Sequence, residues 1–362
     1  MIIGGCSSCT EKMMNVLGIE TSCDETAAAV VRDGREVLSS IVFTQTQLHR
    51  PYGGVVPEIA SRSHVENLPE VINEAVKQSG VTWQELDVVA VTYGPGLATS
   101  LLVGLSAAKG LAMRLSKPLY AINHLEAHLY SVFLGKDAPQ PEDVCPFVAL
   151  VVSGGHTCLV RADAIGRYTL LGQTIDDAAG EAFDKGANLL GLGYPGGPAI
   201  DKAARSGKID YVSFPRGVQK KEKHKLHGLD ADLCLSFSGL KTSLLYYLKE
   251  HPIHGDPSDL PSVAASYQEA IVDSLVSRCD KAVKTGECLV AAGGVALNSR
   301  LRARLNELAE RRKIKLLMAE PKFCADNAAM IAGLAGTGRG ITGPEAMLLD
   351  VDPNLELGAY PV

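Results

Sequence analysis

The sequence contains no apolar run approaching the roughly 20 residues that cross a bilayer as a helix. Residues 1–14 also contain no apolar core of signal-peptide length. These absences predict a cytoplasmic protein with no membrane association, and we expect residues 1–14 to form a disordered leader before the folded chain. Aromatic residues make up only 5% of the sequence, which argues against a surface of stacked aromatic side chains.

Closely spaced cysteines are scarce. Of the nine cysteines, only Cys6 and Cys9 lie near each other, and no second pair follows to complete a zinc site. The other cysteines are scattered through apolar or turn segments. That usage is typical of reduced thiols in the cytoplasm.

Positive charge is not in excess. The formal net charge of −6 argues against nucleic-acid binding by the surface as a whole, because attraction to phosphates needs a positive field. Any RNA contact must therefore come from a local basic surface or from a partner. The stretch from Arg216 to His227 is rich in lysine, and it is either a solvated loop or a contact to RNA phosphates.

A strand pattern occurs twice along the chain. Val16–Glu20 is a short apolar strand followed by a polar turn and a returning strand. The pair Asp33-Gly34 then predicts a hairpin to a third strand over Glu36–Phe43. Phe147–Val152 begins the same order again, with a strand, a Gly-rich polar turn and a returning strand.

Strands and helices alternate in the rest of the chain, which predicts an α/β fold. Two halves that each open with a hairpin around a phosphate-type turn favour the duplicated actin/hexokinase/heat-shock ATPase-like (ribonuclease H-like) fold, with two lobes around a nucleotide cleft. We expect the lobes to comprise residues 15–145 and 146–362. A Rossmann fold is less consistent with the sequence, because no clean G-x-G-x-x-G joins a strand to a helix.

Two histidines stand one helical turn apart. His124 and His128 occupy positions i and i+4 of a predicted helix, so both imidazoles can face a single ion. Glu126 lies about 200° around the helix from His124, so the arrangement lacks the general base of an H-E-x-x-H metallopeptidase. The alternative interpretation is two solvated or core histidines.

Asp326 is the candidate third ligand. It precedes the apolar helix Ala328–Leu334, where it can cap the helix and still direct an oxygen outward. Capping alone is the structural alternative. Two imidazoles and one carboxylate leave open coordination positions and suit one divalent metal ion, either iron or zinc.

Three polar turns are candidates for nucleotide binding. Glu20–Thr26 places hydroxyls and carboxylates between two strands, and we predict Asp24 as a catalytic residue that assists proton removal or places a water. Ser153–Thr157 and Gly293–Asn298 contain paired glycines, which allow backbone N–H groups to approach a phosphate closely. Each turn is a weak signal alone, but three in matching positions favour a nucleotide site.

Two further acids and one hydroxyl-rich segment are ambiguous. Asp184 and Asp201 each lie on a predicted helix near a Gly-rich turn, where a carboxylate can accept hydrogen bonds from ribose hydroxyls. Solvated helix faces are the alternative. Ser236–Thr242 contains hydroxyls, a glycine and a lysine, and it either binds a ligand or begins a helix.

Taken in order, these motifs resemble the bacterial TsaD family of tRNA N6-adenosine threonylcarbamoyltransferases, formerly labelled O-sialoglycoprotein endopeptidases. The resemblance runs from about Asn15 to the C-terminus. The segments that carry it are Glu20–Thr26, Gly53–Glu58, Tyr93–Gly96, Asn123–His128, Val152–Thr157, Glu181–Lys185, Gly191–Gly197, Ser236–Thr242 and Gly293–Asn298.

The resemblance implies transfer of threonylcarbamoyl from threonylcarbamoyl-AMP to the N6 amine of the adenosine 3′ of the anticodon, in tRNAs that read codons beginning with A. It implies metal ligation by His124, His128 and Asp326. The implied nucleotide or substrate contacts are Val151, Val152, Ser153, Gly154, Gly155, Asp184, Gly197, Asp201 and Asn298. The implied protein partners are a degenerate paralogous subunit, which forms a heterodimer with the chain, and a small P-loop ATPase.

Two other classes of function stay open on the residues alone. A small-molecule kinase of the same ATPase fold would explain the Gly-rich turns but not the helix with two histidines. A non-catalytic nucleotide-binding scaffold, like the degenerate paralogue, would lack the metal ligands. This sequence carries all three.

Overall fold

A computed structural model of the chain describes residues 13–217, 228–252 and 259–358. The strands are β1 Asn15–Glu20, β2 Glu25–Arg32, β3 Glu36–Thr44, β4 Val88–Gly94, β5 Leu119–Asn123, β6 Phe147–Val152, β7 Thr157–Ala164, β8 Arg167–Gln173, β9 Cys288–Ala292 and β10 Leu316–Met318. The helices are α1 Thr46–His49, α2 Pro57–Ser79, α3 Ala98–Leu115, α4 His124–Tyr130, α5 Ala179–Leu189, α6 Gly196–Ala204, α7 Ser238–Glu250, α8 Leu260–Ala282, α9 Ser299–Arg312, α10 Pro321–Cys324, α11 Ala328–Ala335 and α12 Pro344–Leu348.

Two predictions from the sequence fall largely on residues outside these ranges. The expected disordered leader, residues 1–14, lies outside the described residues except for its last two positions. Most of the lysine-rich stretch also lies outside them, although Arg216 is described and donates from Nε to Asp273 Oδ2 at 2.7 Å. In the described part of the chain, no helix is long and apolar enough to cross a membrane.

The ten strands form two five-stranded sheets with the same topology. The first sheet has the order β3-β2-β1-β4-β5 and the second has the order β10-β9-β6-β7-β8. In each sheet the three strands that come first in the chain, β1–β3 or β6–β8, pair antiparallel with one another. The two later strands, β4 and β5 or β9 and β10, then pair in parallel beside the first of the three. This equivalence confirms the duplication that the repeated hairpin pattern predicted. Strands β8 and β10 have no predicted counterpart, because β8 is largely polar and half-exposed and β10 has only three residues.

A buried apolar layer joins the two sheets. It contains inward-facing residues of both sheets together with most of α4 and all of the apolar helix α11. Two further buried clusters cover the outer faces, where α2 and α3 pack on the first sheet and α5, α7, α8 and α9 pack on the second. Helix α4, with the two histidines, therefore lies in the centre of the molecule and not on its surface.

The chain returns to the first sheet near its end. Helix α11 packs across β1 and β2, and Ala121 of β5 exchanges backbone hydrogen bonds with Ile341. The segment after α10 therefore contacts the first sheet, although it follows the second sheet in sequence. The division into lobes of residues 15–145 and 146–362 matches the order of the sheets and stays a prediction as a domain boundary.

A glycine permits the close approach of α11 to the first sheet. A Cβ added at Gly18 in β1 would lie 2.4 Å from the carbonyl oxygen of Ala328 and 2.8 Å from the backbone nitrogen of Ala332. Both neighbours are backbone atoms, so no side-chain rotation can relieve the overlap. Substitution would have to move α11, the helix that begins two residues after Asp326.

We expect Gly18→Ala to lower the free energy of unfolding by about 1–3 kcal/mol, because the added methyl overpacks the interface between sheet and helix. Urea denaturation followed by circular dichroism measures this change. Gly110→Ala is the matched control: Gly110 lies in α3 with no neighbour within 4 Å of an added Cβ, and alanine is the better helix former. Equal stabilities of the two variants would contradict the inference that a side chain at position 18 overpacks the contact between β1 and α11.

Candidate metal centre and nucleotide cleft

The three predicted metal ligands meet at one point between the sheets. The Nε2 atom of His128 lies 3.1 Å from Asp326 Oδ1, and the Nε2 atom of His124 lies 3.5 Å from the same oxygen. One ligand atom from each residue lies within 4.8 Å of the others. The two imidazole rings stand edge to face, with centroids 4.6 Å apart. This geometry is that of a candidate metal site with two nitrogens and one carboxylate oxygen.

The local sequence explains how the two histidines are aimed. Asn123 ends β5 and caps α4, since its Oδ1 accepts hydrogen bonds from the backbone N–H groups of Leu125 and Glu126. The cap begins the helix at His124, so that His124 and His128 stand one turn apart on the same face. Strand and helix together present both rings toward Asp326.

A second carboxylate orients the ring of His124. Glu20, fully buried at the end of β1, accepts from His124 Nδ1 through Oε2 at 2.9 Å. The same oxygen accepts from Thr92 Oγ1 at 2.6 Å, and Oε1 accepts from the backbone N–H of Ser22 at 2.5 Å. A carboxylate that accepts a hydrogen bond from Nδ1–H keeps the proton on Nδ1. In that tautomer Nε2 is free to bind a metal ion.

The charges in this cluster fit a cation. Burial by itself lowers the pKa of His124, but the carboxylates of Glu20 and Asp326 outweigh it and raise that pKa well above the usual value. Burial likewise raises the pKa of Asp326, but His124 holds it well below its usual range. The fully buried carboxylate of Glu20 and the partly buried carboxylate of Asp326 thus favour a positive charge here, which either a proton on His124 or a metal ion can supply.

The second imidazole, that of His128, is neutral because it is buried. Burial lowers the pKa of His128, and the hydrogen bond to Asp326 only partly opposes that effect. Neutral imidazole is the form that binds metals.

Glu126 is another buried carboxylate near this region. Burial raises the pKa of Tyr93 to about 12, and the charge of Glu126 adds to that effect. Glu126 does not belong to the candidate ligand cluster found among the described residues.

A cavity of about 620 Å³ opens beside these ligands. This volume lies within the range of about 300–1,000 Å³ that is common for small-molecule sites. The walls come from both lobes, since the turn after β1 and the turn before α3 face the turns after β6 and β9. His124 and Asp326 line the cavity, so the candidate metal site forms part of its surface.

The Gly-rich turns form the wall of the cleft that suits a phosphate. Ser153, Gly154 and Gly155 line it after β6. Gly154 and Gly155 have no neighbour within 4 Å of an added Cβ, so their backbone faces open space in the cavity. In the neighbouring turn after β9, Gly293 has a φ of +95° and approaches the carbonyl of Val152 so closely that an added Cβ would lie 2.3 Å from its oxygen. A ligand can therefore lie directly against main-chain N–H groups.

The two acids predicted to bind ribose and the predicted nucleotide contact Asn298 also line the cleft. Asp184 on α5 accepts from the backbone N–H of Gly196 at 2.6 Å, and burial raises the pKa of its carboxyl to about 6. Asp201 on α6 accepts from Ser299 Oγ at 2.7 Å. Asn298 caps α9 through Oδ1 and donates from Nδ2 to Gln268 at 2.8 Å. The remaining predicted contact, Gly197, is the second residue of α6 and lines the cavity.

Three predicted groups differ from the others in position. Val151 and Val152 lie in β6 with fully buried side chains, so only their backbone can approach a ligand. Asp24 lines the cleft on the opposite lobe, where its Oδ2 accepts from Tyr194 Oη at 3.4 Å. The hydroxyls of Ser236 and Ser238 bind Asp176 at the start of α7, which supports the helix-start alternative for that segment.

Sequence reasoning missed two parts of the site. Glu20 belonged to a recognised motif, but its hydrogen bond to His124 joins residues 104 positions apart. Pro353 lines the cavity from the C-terminal segment, held by a bond from Gly96 N to the Pro353 carbonyl at 3.2 Å. An acid at the end of a buried strand was the available signal for Glu20, whereas the sequence around Pro353 offers none.

Residues 36–333 match the TsaD family, described as tRNA N6-adenosine threonylcarbamoyltransferase. The chain is 53% identical over 328 residues to the tRNA N6-adenosine threonylcarbamoyltransferase of Anaeromyxobacter dehalogenans (strain 2CP-C), and the alignment covers 90% of this chain and 94% of that protein.

Solved structures provide an independent comparison of the fold. The T. kodakarensis HypF structure gives a TM-score of 0.56 at 14% identity, covering 91% of this chain and 47% of that chain. Component A of the Acidaminococcus fermentans (R)-2-hydroxyglutaryl-CoA dehydratase gives 0.52 at 13% identity, covering 90% and 98%. At such identities the likeness concerns the fold alone, and it confirms the two-lobed actin/hexokinase/ATPase-like α/β architecture. The family match and the identity across most of both sequences show that this chain belongs to the TsaD family of tRNA N6-adenosine threonylcarbamoyltransferases.

Proposed function

We propose that the chain transfers threonylcarbamoyl from threonylcarbamoyl-AMP to the N6 amine of the adenosine 3′ of the anticodon, in tRNAs that read codons beginning with A, and releases AMP. One divalent metal ion per subunit, iron or zinc, binds His124, His128 and Asp326. The reaction takes place in the cytoplasm. A degenerate paralogous subunit and a small P-loop ATPase are the protein partners.

The observation that carries this proposal is the shared wall between two sites. His124 and Asp326 line the same cavity as the glycines after β6. A nucleotide whose phosphate lies against those glycines therefore places its acyl group next to the candidate metal ligands. Family membership favours this acyl transfer over a scaffold role.

The main chain binds the phosphate of the donor, and side chains bind its nucleoside. Backbone N–H groups of Gly154 and Gly155 donate to the phosphate of the donor, and they are positioned before the reaction begins. Asp184 and Asp201 accept from the ribose hydroxyls, and Asn298 lies beside the base. When bound, a divalent ion supplies Lewis-acid polarisation of a donor oxygen and stabilises the charge that develops as AMP leaves.

The transfer step needs no protein nucleophile. The N6 amine of adenosine attacks the carbamoyl carbon, the bond from that carbon to the AMP phosphate oxygen breaks, and one proton leaves the amine. Asp24 lies on the lobe opposite the Gly-rich turns. In this proposal it receives that proton directly or through a water. The anticodon loop must present its base unstacked, as single-stranded RNA recognition requires.

The charge of the cleft bears on the kinase alternative. Among the described residues that line the cavity, five are Asp or Glu and none is Lys or Arg. Carboxylates in such a cleft can hold a divalent cation that neutralises a bound phosphate, so they are compatible with either an acyl-adenylate or a triphosphate. Family membership favours acyl transfer over the kinase.

Reconstitution tests the proposed reaction. We expect tRNA incubated with threonylcarbamoyl-AMP, the partner proteins and this chain to gain threonylcarbamoyladenosine, measured by mass spectrometry of the nucleosides. The same mixture without the chain is the control. Absence of the modified nucleoside from the complete mixture, together with phosphorylation of a small molecule from ATP, would favour the kinase.

His124→Ala tests the metal site. We expect the variant to stay folded but to lose its bound metal and its transfer activity, because one nitrogen ligand is removed and Asp326 loses its main counter-charge. Metal content is measured by inductively coupled plasma mass spectrometry. His156→Ala is the matched control, since this neighbouring ring lies 6.4 Å from that of His124 but outside the ligand set. Full activity of metal-free His124→Ala protein would refute the role.

Asp184 gives a prediction on pH. Its carboxyl, with a pKa of about 6, is ionised at pH 7.5 and mostly protonated at pH 5.5. The affinity for adenosine, which has no phosphate that titrates in this range, should therefore fall about fourfold between these two values as the acceptor for ribose is lost. Isothermal titration calorimetry measures the change. Asp184→Asn should bind more weakly at pH 7.5 and show no such dependence; an unchanged dependence would assign the titration to another group.

A further inference from the structure

The turn after β1, which carries Asp24, accepts two hydrogen bonds through its backbone carbonyls on the side away from the cleft. The carbonyl of Cys23 accepts from His64 Nε2 at 2.9 Å, and the carbonyl of Asp24 accepts from the backbone N–H of Gln45 at 3.1 Å. Both donor residues belong to a fully buried polar cluster. The proposed mechanism gives this cluster no role.

The partners of His64 determine its tautomer. A carbonyl oxygen only accepts, so Nε2 must carry the proton that is donated to Cys23. Burial lowers the pKa of the ring, which favours the neutral form. Nδ1 is then the acceptor, and the hydroxyl of Thr26 donates to it at 2.7 Å. The side-chain amide of Gln45 also approaches Nδ1, at 3.3 Å, as expected for an unprotonated nitrogen.

The same logic extends the cluster to a second histidine. Gln45 Nε2 faces the carbonyl of Ala60 at 3.3 Å, so its Oε1 is the acceptor on the other side. His49 Nε2 donates to that oxygen at 3.2 Å, and His49 Nδ1 accepts from the backbone N–H of Val56 at 3.2 Å. Burial lowers the pKa of His49 as well. Every hydrogen bond from Val56, the N-cap of α2, to Cys23 thus has a fixed direction.

We propose that His64, supported by Gln45 and His49, is a positioning residue that fixes the turn after β1 against the candidate metal centre. The inference rests on the proposed function, because the position of this turn matters for catalysis only if Asp24 serves the reaction. The cluster connects the start of α2 to the turn and touches neither the nucleotide wall nor the metal ligands.

The contacts on the inner side of the turn show what such positioning controls. Ser22 Oγ lies 3.2 Å from His124 Nδ1, and Asp24 faces Tyr194 across the cleft. If the Cys23 carbonyl loses its donor, both side chains can shift while the rest of the lobe stays folded. Displacements of about 1 Å can reduce the rate of an enzymatic step by about 100-fold.

Three variants separate positioning from stability. His64→Ala removes the donor to Cys23, and we expect kcat to fall by about tenfold or more while KM for threonylcarbamoyl-AMP, whose phosphate and ribose contacts lie on the other lobe, stays unchanged. His64→Gln places an amide N–H where ring Nε2 was, and it should recover kcat to within about threefold of wild type. His64→Asn keeps an acceptor for Thr26 but cannot reach Cys23, and it replaces His64→Ala if that variant does not fold.

Ser39→Ala is the matched control for stability. Ser39 Oγ is buried in the same lobe, donates to the carbonyl of Ala75 at 2.6 Å and accepts from the N–H of Val30 at 3.2 Å. Its loss should lower the melting temperature by an amount comparable to that for His64→Ala, because each variant removes buried hydrogen bonds. It should leave kcat unchanged, since no atom of the turn is involved.

A second measurement does not depend on transfer activity. Cys23 lies in the turn and lines the cleft, so its rate of alkylation by iodoacetamide, followed by peptide mass spectrometry, reports how firmly the turn is held. The rate should rise at least threefold in His64→Ala and stay at the wild-type value in His64→Gln and Ser39→Ala. If wild-type protein transferred nothing, the proposed function would fail while the alkylation rates still tested the cluster. Wild-type kcat and wild-type alkylation in His64→Ala, or an equal loss of kcat in Ser39→Ala, would overturn the inference.

Discussion

The contact of Asp326 with two imidazoles is the interaction on which the candidate site depends. His124 and His128 belong to the helix after the first sheet, whereas Asp326 follows the second sheet by way of α10. Their meeting requires α4 and α11 to pack together between the two sheets, in the apolar layer that both sheets share. Burial there makes each charge costly alone, so the carboxylates and imidazoles stabilise one another only as a set.

The same packing places the nucleotide wall beside the metal ligands. Because parallel strands end at the same edge of a sheet, the turns after β6 and β9 meet in one place, and Asp326 lies against them. The duplicated topology therefore produces two dissimilar walls. One wall consists of glycines and backbone N–H groups, and the other consists of the hydroxyls and carboxylates of the turn after β1. We propose that the first wall binds AMP and that the second accepts the proton of the attacking amine.

Much of the fold could be predicted because it is local. The apolar strand β1, the hairpin at Asp33-Gly34 and the i, i+4 spacing of two histidines are properties of short segments, and the structure has each of them where the sequence indicates it. Strand β8 was missed because its residues are half-exposed and mostly polar, so no apolar alternation identifies it. Its neighbours in the sheet, not its own composition, make it a strand.

The sequence by itself determined the two-lobed α/β class, the family resemblance and the identities of the candidate ligands, since these follow from residue patterns within single elements. Only the tertiary structure decided that Asp326, 198 positions from His128, reaches its ring. Only the tertiary structure assigned Glu20 to His124 and His64 to the carbonyl of Cys23. The physical reason is that these hydrogen bonds join separate elements, and their geometry exists only after the apolar layers have packed.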